Sequence, residues 1–337
     1  MQNVLFLGSK GLGLKAVKEM YAIAPESLRG VITIDDSSDT RSAYSGFRDF
    51  ERETRLDLHI AKNGKSAEAI IAEHKPDLCI VVGWYWLISE ATLSSVRQGF
   101  VGIHNSLLPK LRGGSPLVWS IILEHKEVGC SLFSFTPGLD DGPIWAQGSV
   151  PLDDDDYVSD ALAKVEQKAI DLFRHNYPLI LAGTLSPMEQ DHSLATFCAQ
   201  RMPSDGSIRW DQSARAIYNF IRAQSHPYPG AYTFLKSDKL SIWRARLCPY
   251  PYFGTPGQIA RISEDGVCVV CGDNMAIIIE EVEDNASKRG KAQDFIKSVT
   301  GRLSHSAVDD WTYYDHAARN PSSPASSAVK NASQRTL

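Results

Sequence analysis

The sequence lacks any run of the roughly 20 uninterrupted apolar residues that a membrane helix needs, and Met1 to Gly8 is a strand-like stretch with no basic region ahead of it. It has little cysteine. The six thiols, at 79, 130, 198, 248, 268 and 271, are scattered through 337 residues, which excludes a disulfide scaffold and predicts reduced side chains. It also has no surplus of positive charge: 35 Lys and Arg stand against 40 Asp and Glu, a net charge of −5, which removes any general attraction to phosphate backbones. These absences predict a cytoplasmic protein with neither membrane nor nucleic acid as partner. What is present is ordinary: 43% apolar and 22% charged residues, enough for a sizeable core and about two domains.

The first 105 residues alternate short apolar runs with amphipathic segments. Strands are expected near Asn3 to Leu7, Gly30 to Ile34, Leu56 to Ile60, Leu78 to Val82 and Phe100 to Ile103. Helices are expected between them, near 13–23, 40–54, 66–74 and 89–96. That alternation predicts an α/β fold, a doubly wound and mostly parallel sheet. After Val128, Gly129 to Thr136 and Pro143 to Val150 read as an antiparallel pair, and Ser159 to Phe173 as a long helix. Asp153 to Asp156 read as acidic residues at its positive end. A helix at 214–223 and five short strand-like runs between 232 and 281 predict a small OB-like β-barrel. The expected division is 1–200 for a first domain, 201–305 for the helix and barrel, and 306–337 for a disordered tail poor in large apolar side chains.

Gly8-Ser9-Lys10-Gly11-Leu12-Gly13 follows the first strand, but its GxxGxG spacing lacks the last glycine of a dinucleotide fingerprint, so a tight turn is the better reading. Cys268 and Cys271 form a CxxC with no second ligand pair; zinc needs four ligands, so they read as barrel core and no metal is expected. The strongest signal is His104, at the carboxyl end of the fifth strand where open α/β sheets hold their ligands. It is followed by Asn105-Ser106-Leu107-Leu108-Pro109-Lys110-Leu111-Arg112-Gly113. A second segment, Gly138-Leu139-Asp140-Asp141-Gly142, is an acidic turn able to return to the same crevice. A carboxylate beside an imidazole favours its charged form and fixes its tautomer, as proton transfer requires.

At these residues the sequence resembles the 10-formyltetrahydrofolate-dependent formyltransferases, whose signature is N-x-H-x-S-L-L-P, then R-G, then G-L-D-x-G about 35 residues after the histidine. The family includes methionyl-tRNA, glycinamide ribonucleotide and sugar N-formyltransferases. The resemblance runs from about Met1 to Leu303, including 201–210 and 222–232 at the start of the second domain, which points to the two-domain tRNA and sugar enzymes. It implies transfer of a formyl group from 10-formyltetrahydrofolate to a primary amine, with His104 and Asp140 catalytic. It implies a folate pocket lined by Trp84, Tyr85, Trp86, Leu87 and Ile88 together with Leu139 and Asp141. It implies a substrate side formed by Ser106, Lys110, Arg112, Gly113 and Arg201, and it allows a homodimer.

One departure from the family's pattern matters: the asparagine two residues before the histidine is replaced by Gly102, and Asn105, whose side chain would face the other way on a strand, can stand in only where the chain bends after His104. Either Asn105 or a backbone N–H supplies the missing hydrogen bond, or the enzyme is slow, or the chain binds folate without reacting; Asn105 is the favoured substitute. For the amine, residues 35–57 hold seven acidic side chains and four arginines, a poor phosphate-binding surface. A nucleotide-linked amino sugar is therefore the expected substrate, its diphosphate held by Lys110, Arg112 or Arg201. The alternatives are methionyl-tRNA and an amino-acid-derived amine or hydroxylamine.

Overall fold

A strand that is apolar at every position persists only where helices cover both its faces, and the amino-terminal half is built this way. The computed structural model describes residues 2–307. Strand β1 (Val4–Gly8) is wholly buried. It is followed by α1 (Lys10–Ile23), β2 (Leu28–Ile34), α2 (Tyr44–Thr54), β3 (Leu58–Ala61), α3 (Gly64–His74), β4 (Leu78–Val82), α4 (Glu90–Ser95) and β5 (Phe100–His104). These five strands lie parallel in the order β3-β2-β1-β4-β5. The order reverses between β1 and β4, so their following loops diverge at the carboxyl edge, the place where open α/β sheets hold their ligands. The glycine-rich turn serves close packing: a Cβ on Gly13 would sit 2.9 Å from the Val82 carbonyl oxygen.

The chain continues through β6 (Arg112–Gly113), α5 (Pro116–Ile122), β7 (Glu127–Ser134), β8 (Ile144–Pro151) and α6 (Val158–Leu181). Strands β7 and β8 extend the sheet antiparallel, with Ser131 opposite His104 and Phe133 opposite Gly102. Helix α6 outruns its expected end at Phe173 even though Pro178 lies within it. Val165, Ala169, Phe173, Tyr177 and Ile180 form one buried stripe, and that packing outweighs the roughly 3 kcal/mol an interior proline costs. Asp153 and Asp156, just before the helix, pair with Lys164 at 2.8 and 2.6 Å.

The second half holds β9 (Phe197–Cys198), which pairs in parallel with β6, then α7 (Ala214–Gln224), β10 (Ala231–Leu235), β11 (Asp238–Leu247), β12 (Ile259–Ser263), β13 (Gly266–Val270), β14 (Ala276–Glu283), β15 (Arg289–Lys291), α8 (Ala292–Phe295) and β16 (Leu303–Ser304). Their antiparallel order is β12-β13-β14-β11-β10-β16. A bridge between Gln258 and Arg302 joins the two ends of that order, so the sheet curls around Ile242, Val267, Val269, Ile277 and Ile279. Cys268 and Cys271 are core residues here, and burial pushes both thiols up to about 12. Among the described residues no helix is long and apolar enough to cross a membrane. The expected tail beyond Ala307 lies outside the described residues.

Candidate active site

Side chains two apart on a strand share a face, so Gly102 and His104 present to the same side of β5. His104 is 9% exposed. Its Nε2 lies 2.8 Å from the Leu111 carbonyl oxygen; a carbonyl only accepts, so Nε2 carries the hydrogen and Nδ1 of the neutral ring is left as an acceptor. Nδ1 stands 3.6 Å from Asp140 Oδ2, too far for a hydrogen bond but close enough to stabilise a charge on the ring. The same oxygen accepts a 2.8 Å hydrogen bond from the Gly113 N–H. Asp140 holds φ at 48°, in the left-handed region. The structure thus brings together His104, Asp140 and Gly113 from three separate segments.

The turn that carries Asp140 is tied down. Thr136 Oγ1 donates to Asp141 Oδ1, and Gln190 Nε2 donates to the carbonyls of Asp140 and Gly142 at 2.8 and 2.7 Å. Gln190 itself is held by Arg112, which donates to Oε1 through Nε and Nη2 at 3.1 and 2.6 Å. Arg112 was expected at a substrate phosphate; at 4% exposure, with its guanidinium engaged on Gln190 and His192, it faces inward instead. Ser106 is likewise buried, its hydroxyl donating to the Lys110 carbonyl at 2.6 Å. Arg201 bonds the Asp205 carbonyl and Gln224 and lies over Trp119 and Phe220, a strut rather than a free cation. Of the expected phosphate-binding cations, only Lys110 is exposed.

In the loop after β4, Trp84 and Trp86 meet edge to face at 5.2 Å and pack with Ile88 against the core. Tyr85 and Leu87 project outward, 50% and 92% exposed. Along the same edge Lys10 lies 5.2 Å from the Tyr85 ring centroid and is paired with Asp36 and Asp39 at 2.6 and 2.7 Å. Burial opposes its charge, yet the two carboxylates outweigh it and raise the ammonium above its ordinary value. Arg41 grips Asp39 at 2.9 Å and, with Lys10, holds that carboxyl well below the usual range. The cations on this edge are therefore largely neutralised.

The sequence did not show what fills the space at position 102, nor the state of the Asn105 amide. The ring of Phe135 occupies the space a side chain at position 102 would need, 2.9 Å from a Cβ built there to its Cζ, and it lies tilted by 31° against Phe133 with centroids 5.1 Å apart. Asn105, next to His104, has its amide oxygen buried without a hydrogen-bond partner, a group that a ligand would satisfy. Gln190 had no local signal, since its partners lie 48 to 78 positions away. A cleft of about 770 Å³ also opens in the barrel, between Trp210, Pro256 and Val299 among others; none of its lining belongs to the first sheet.

The family model described as "Formyl transferase" matches residues 33–175, and that described as "Formyl transferase, C-terminal domain" matches residues 201–300. A methionyl-tRNA formyltransferase of Geobacillus thermodenitrificans is 32% identical over 228 residues, 68% of this chain and 71% of that protein. Among solved structures, an N-formyltransferase of Helicobacter canadensis in complex with folinic acid and dTDP-3-aminofucose superposes with a TM-score of 0.66 at 16% identity, covering 83% of this chain and 99% of that one. HypX of Aquifex aeolicus in complex with tetrahydrofolic acid gives a TM-score of 0.61 at 15% identity, over 88% of this chain and 47% of that one.

Proposed function

The chain belongs to the formyl transferase family, and from that premise we propose that it formylates the primary amine of a small molecule, a nucleotide-linked amino sugar, with His104 as proton acceptor, Asp140 as its charge partner and Asn105 as a polar contact to the reacting groups. The observation that carries this is the tautomer: with Nε2–H committed to Leu111, Nδ1 is left as the acceptor and sits beside the Asp140 carboxylate, which can support its charge.

The residues fit a folate co-substrate on the orphaned Asn105 oxygen and on the outward apolar side chains of Leu87 and Leu139. 10-Formyltetrahydrofolate supplies an activated formyl carbon. The attacking amine forms the new C–N bond, the bond from carbon to folate N10 breaks, and one proton passes from amine to leaving nitrogen. His104 Nδ1 takes that proton and returns it, while Asp140 stabilises the transient imidazolium. The oxygen of the reacting carbonyl needs a donor that Gly102 cannot supply; the Asn105 amide stands in its place.

A small amine is supported by the paired state of Lys10 and Arg41 and by the net charge of −5, both unsuited to a polyanion. Lys110 is left to meet a diphosphate. The 32% identity to a methionyl-tRNA formyltransferase favours the second reading, an aminoacyl-tRNA substrate. Incubation with 10-formyltetrahydrofolate and either a panel of nucleotide-linked amino sugars or methionyl-tRNA separates them. A gain of about 28 Da, the mass of one CO, on a sugar is expected; formylation of the tRNA alone replaces the first reading, and folate binding with no product from any amine overturns the catalytic one.

A further inference from the structure

We propose that Gln190 is a positioning residue for formyl transfer, holding the Asp140 carboxylate against His104. The proposal rests on the proposed roles of those two residues. Gln190 is 5% exposed, and every polar atom of its amide is used. Both protons of Nε2 go to carbonyls of the catalytic turn, those of Asp140 and Gly142 at 2.8 and 2.7 Å. Its oxygen accepts from Arg112 at 3.1 and 2.6 Å.

A guanidinium only donates and a carbonyl only accepts. The amide therefore has one permitted orientation, since a flip would set oxygen against two oxygens and nitrogen against a cation.

The grip is two-sided. Arg112 and Gly113 are adjacent in β6; Arg112 reaches the backbone of the turn through Gln190, and Gly113 donates directly to Asp140 Oδ2 at 2.8 Å. Asp140 needs such restraint because its φ of 48° is one that a residue with a side chain seldom keeps unless its surroundings impose it. Strand β6 has only two residues, and its register with β9 brings the segment carrying Gln190 alongside. The irregular stretch after α6 thus acts as a brace for the charge partner of the histidine.

Gln190→Glu isolates the effect. It keeps the volume and the acceptor for Arg112 and turns two donors into an oxygen facing two carbonyls. Histidine ring 15N spectra of the full chain read the outcome without substrate. The His104 Nδ1 resonance is expected to move as it does in Asp140→Asn, with the double variant moving it no further; an unmoved resonance in folded Gln190→Glu overturns the proposal.

With 10-formyltetrahydrofolate and the panel amine that the unaltered enzyme formylates fastest, kcat should fall about 100-fold with KM for both substrates within about threefold. In the Asp140→Asn background the same substitution should cost less than about threefold. Losses that multiply in the double variant would make Gln190 structural only. Gln190→Leu, which removes donors and acceptor together, serves if the glutamate variant does not fold: a thermally stable protein with full kcat rejects the brace. Absence of turnover in the unaltered enzyme rejects the proposed function while the spectra still decide this point.

Discussion

Phe135 stands where a side chain at residue 102 would project. A Cβ on Gly102 would lie 2.9 Å from the ring Cζ and 3.0 Å from the Val81 carbonyl oxygen, so glycine and phenylalanine here share one volume. The asparagine that the sequence resemblance leads one to expect at 102 is thus replaced by a filled space and not a vacancy. Gly102→Asn should destabilise by about 1 to 3 kcal/mol through overpacking, with kcat falling. Adding Phe135→Ala should return part of the stability and raise kcat above that of Phe135→Ala alone. Urea midpoints and steady-state rates of the three variants form a cycle; strictly additive effects would mean that the two residues do not compete for the space.

The Nδ1 atom of His104 is the ring nitrogen left to accept a proton once Nε2 is held by Leu111. His104→Asn removes the proposed proton acceptor and should lower kcat by about 100- to 10,000-fold, with folate affinity retained because the loop after β4, the proposed folate wall, is untouched. Asp140→Asn should cost less, since the ring stays anchored to Leu111 by Nε2. Tryptophan fluorescence titration with folate, beside the rate assay, checks both halves; loss of folate binding in His104→Asn would move the residue from chemistry to architecture.

The five parallel strands were legible because burial on both faces requires unbroken apolar runs, and such runs stand out between polar helices. His104 and Asp140 were legible because each lies in a dense local motif. Helix α5 was missed: Leu117, Val118 and Ile121 are buried within its seven residues, which leaves no clear polar face to mark a period. Helix α6 runs past its expected end at Phe173 because Tyr177 and Ile180 continue its buried stripe, and that packing carries it through Pro178. The inward turn of Arg112 was illegible in principle. A buried and a substrate-binding arginine look alike in sequence, and the partner that decides, Gln190, is 78 positions away.

Stability should fall in mild acid. Burial lowers His59, His125 and His226 below their ordinary 6.5, reinforced by His74, Lys110 and Arg289 respectively. Each folded-state value then lies under the unfolded one, so between them the unfolded chain holds more protons and stability rises with pH. The contribution is complete above about 6.5 and is lost as pH drops through the lowered folded values. A urea midpoint lower at pH 5.5 than at pH 7.5 is expected, and 5.5 lies above the range in which the paired carboxylates Asp39 and Glu281 begin to protonate. His59→Asn should shrink the difference; an unchanged difference would assign it to the other two.

Lys110 is the exposed one of the three cations expected at a phosphate, its carbonyl held by Ser106. Lys110→Ala should raise KM for a diphosphate-bearing amine about tenfold, the value of one charge-assisted contact, and leave kcat and the KM for folate near their original values. An unaltered KM would place the phosphates elsewhere.

Tyr157 joins the two halves of the molecule. Its hydroxyl donates to the Ala245 carbonyl and accepts from the Ala245 N–H, each at 3.0 Å and buried, so the start of α6 is fastened near the end of β11. Tyr157→Phe keeps the packing of a ring 5% exposed and strands a donor and an acceptor with no room for water. Leaving such groups unpaired costs about 1 to 3 kcal/mol each, and a loss of about 2 to 4 kcal/mol is expected once relaxation is allowed for. The hydroxyl is far from His104 in role, so kcat at a temperature where the variant is folded should be nearly unchanged. Calorimetry then reads whether the seam couples the halves: a single transition shifted downward keeps them cooperative, whereas two separated transitions would show that this hydroxyl is what makes the α/β domain and the barrel unfold together.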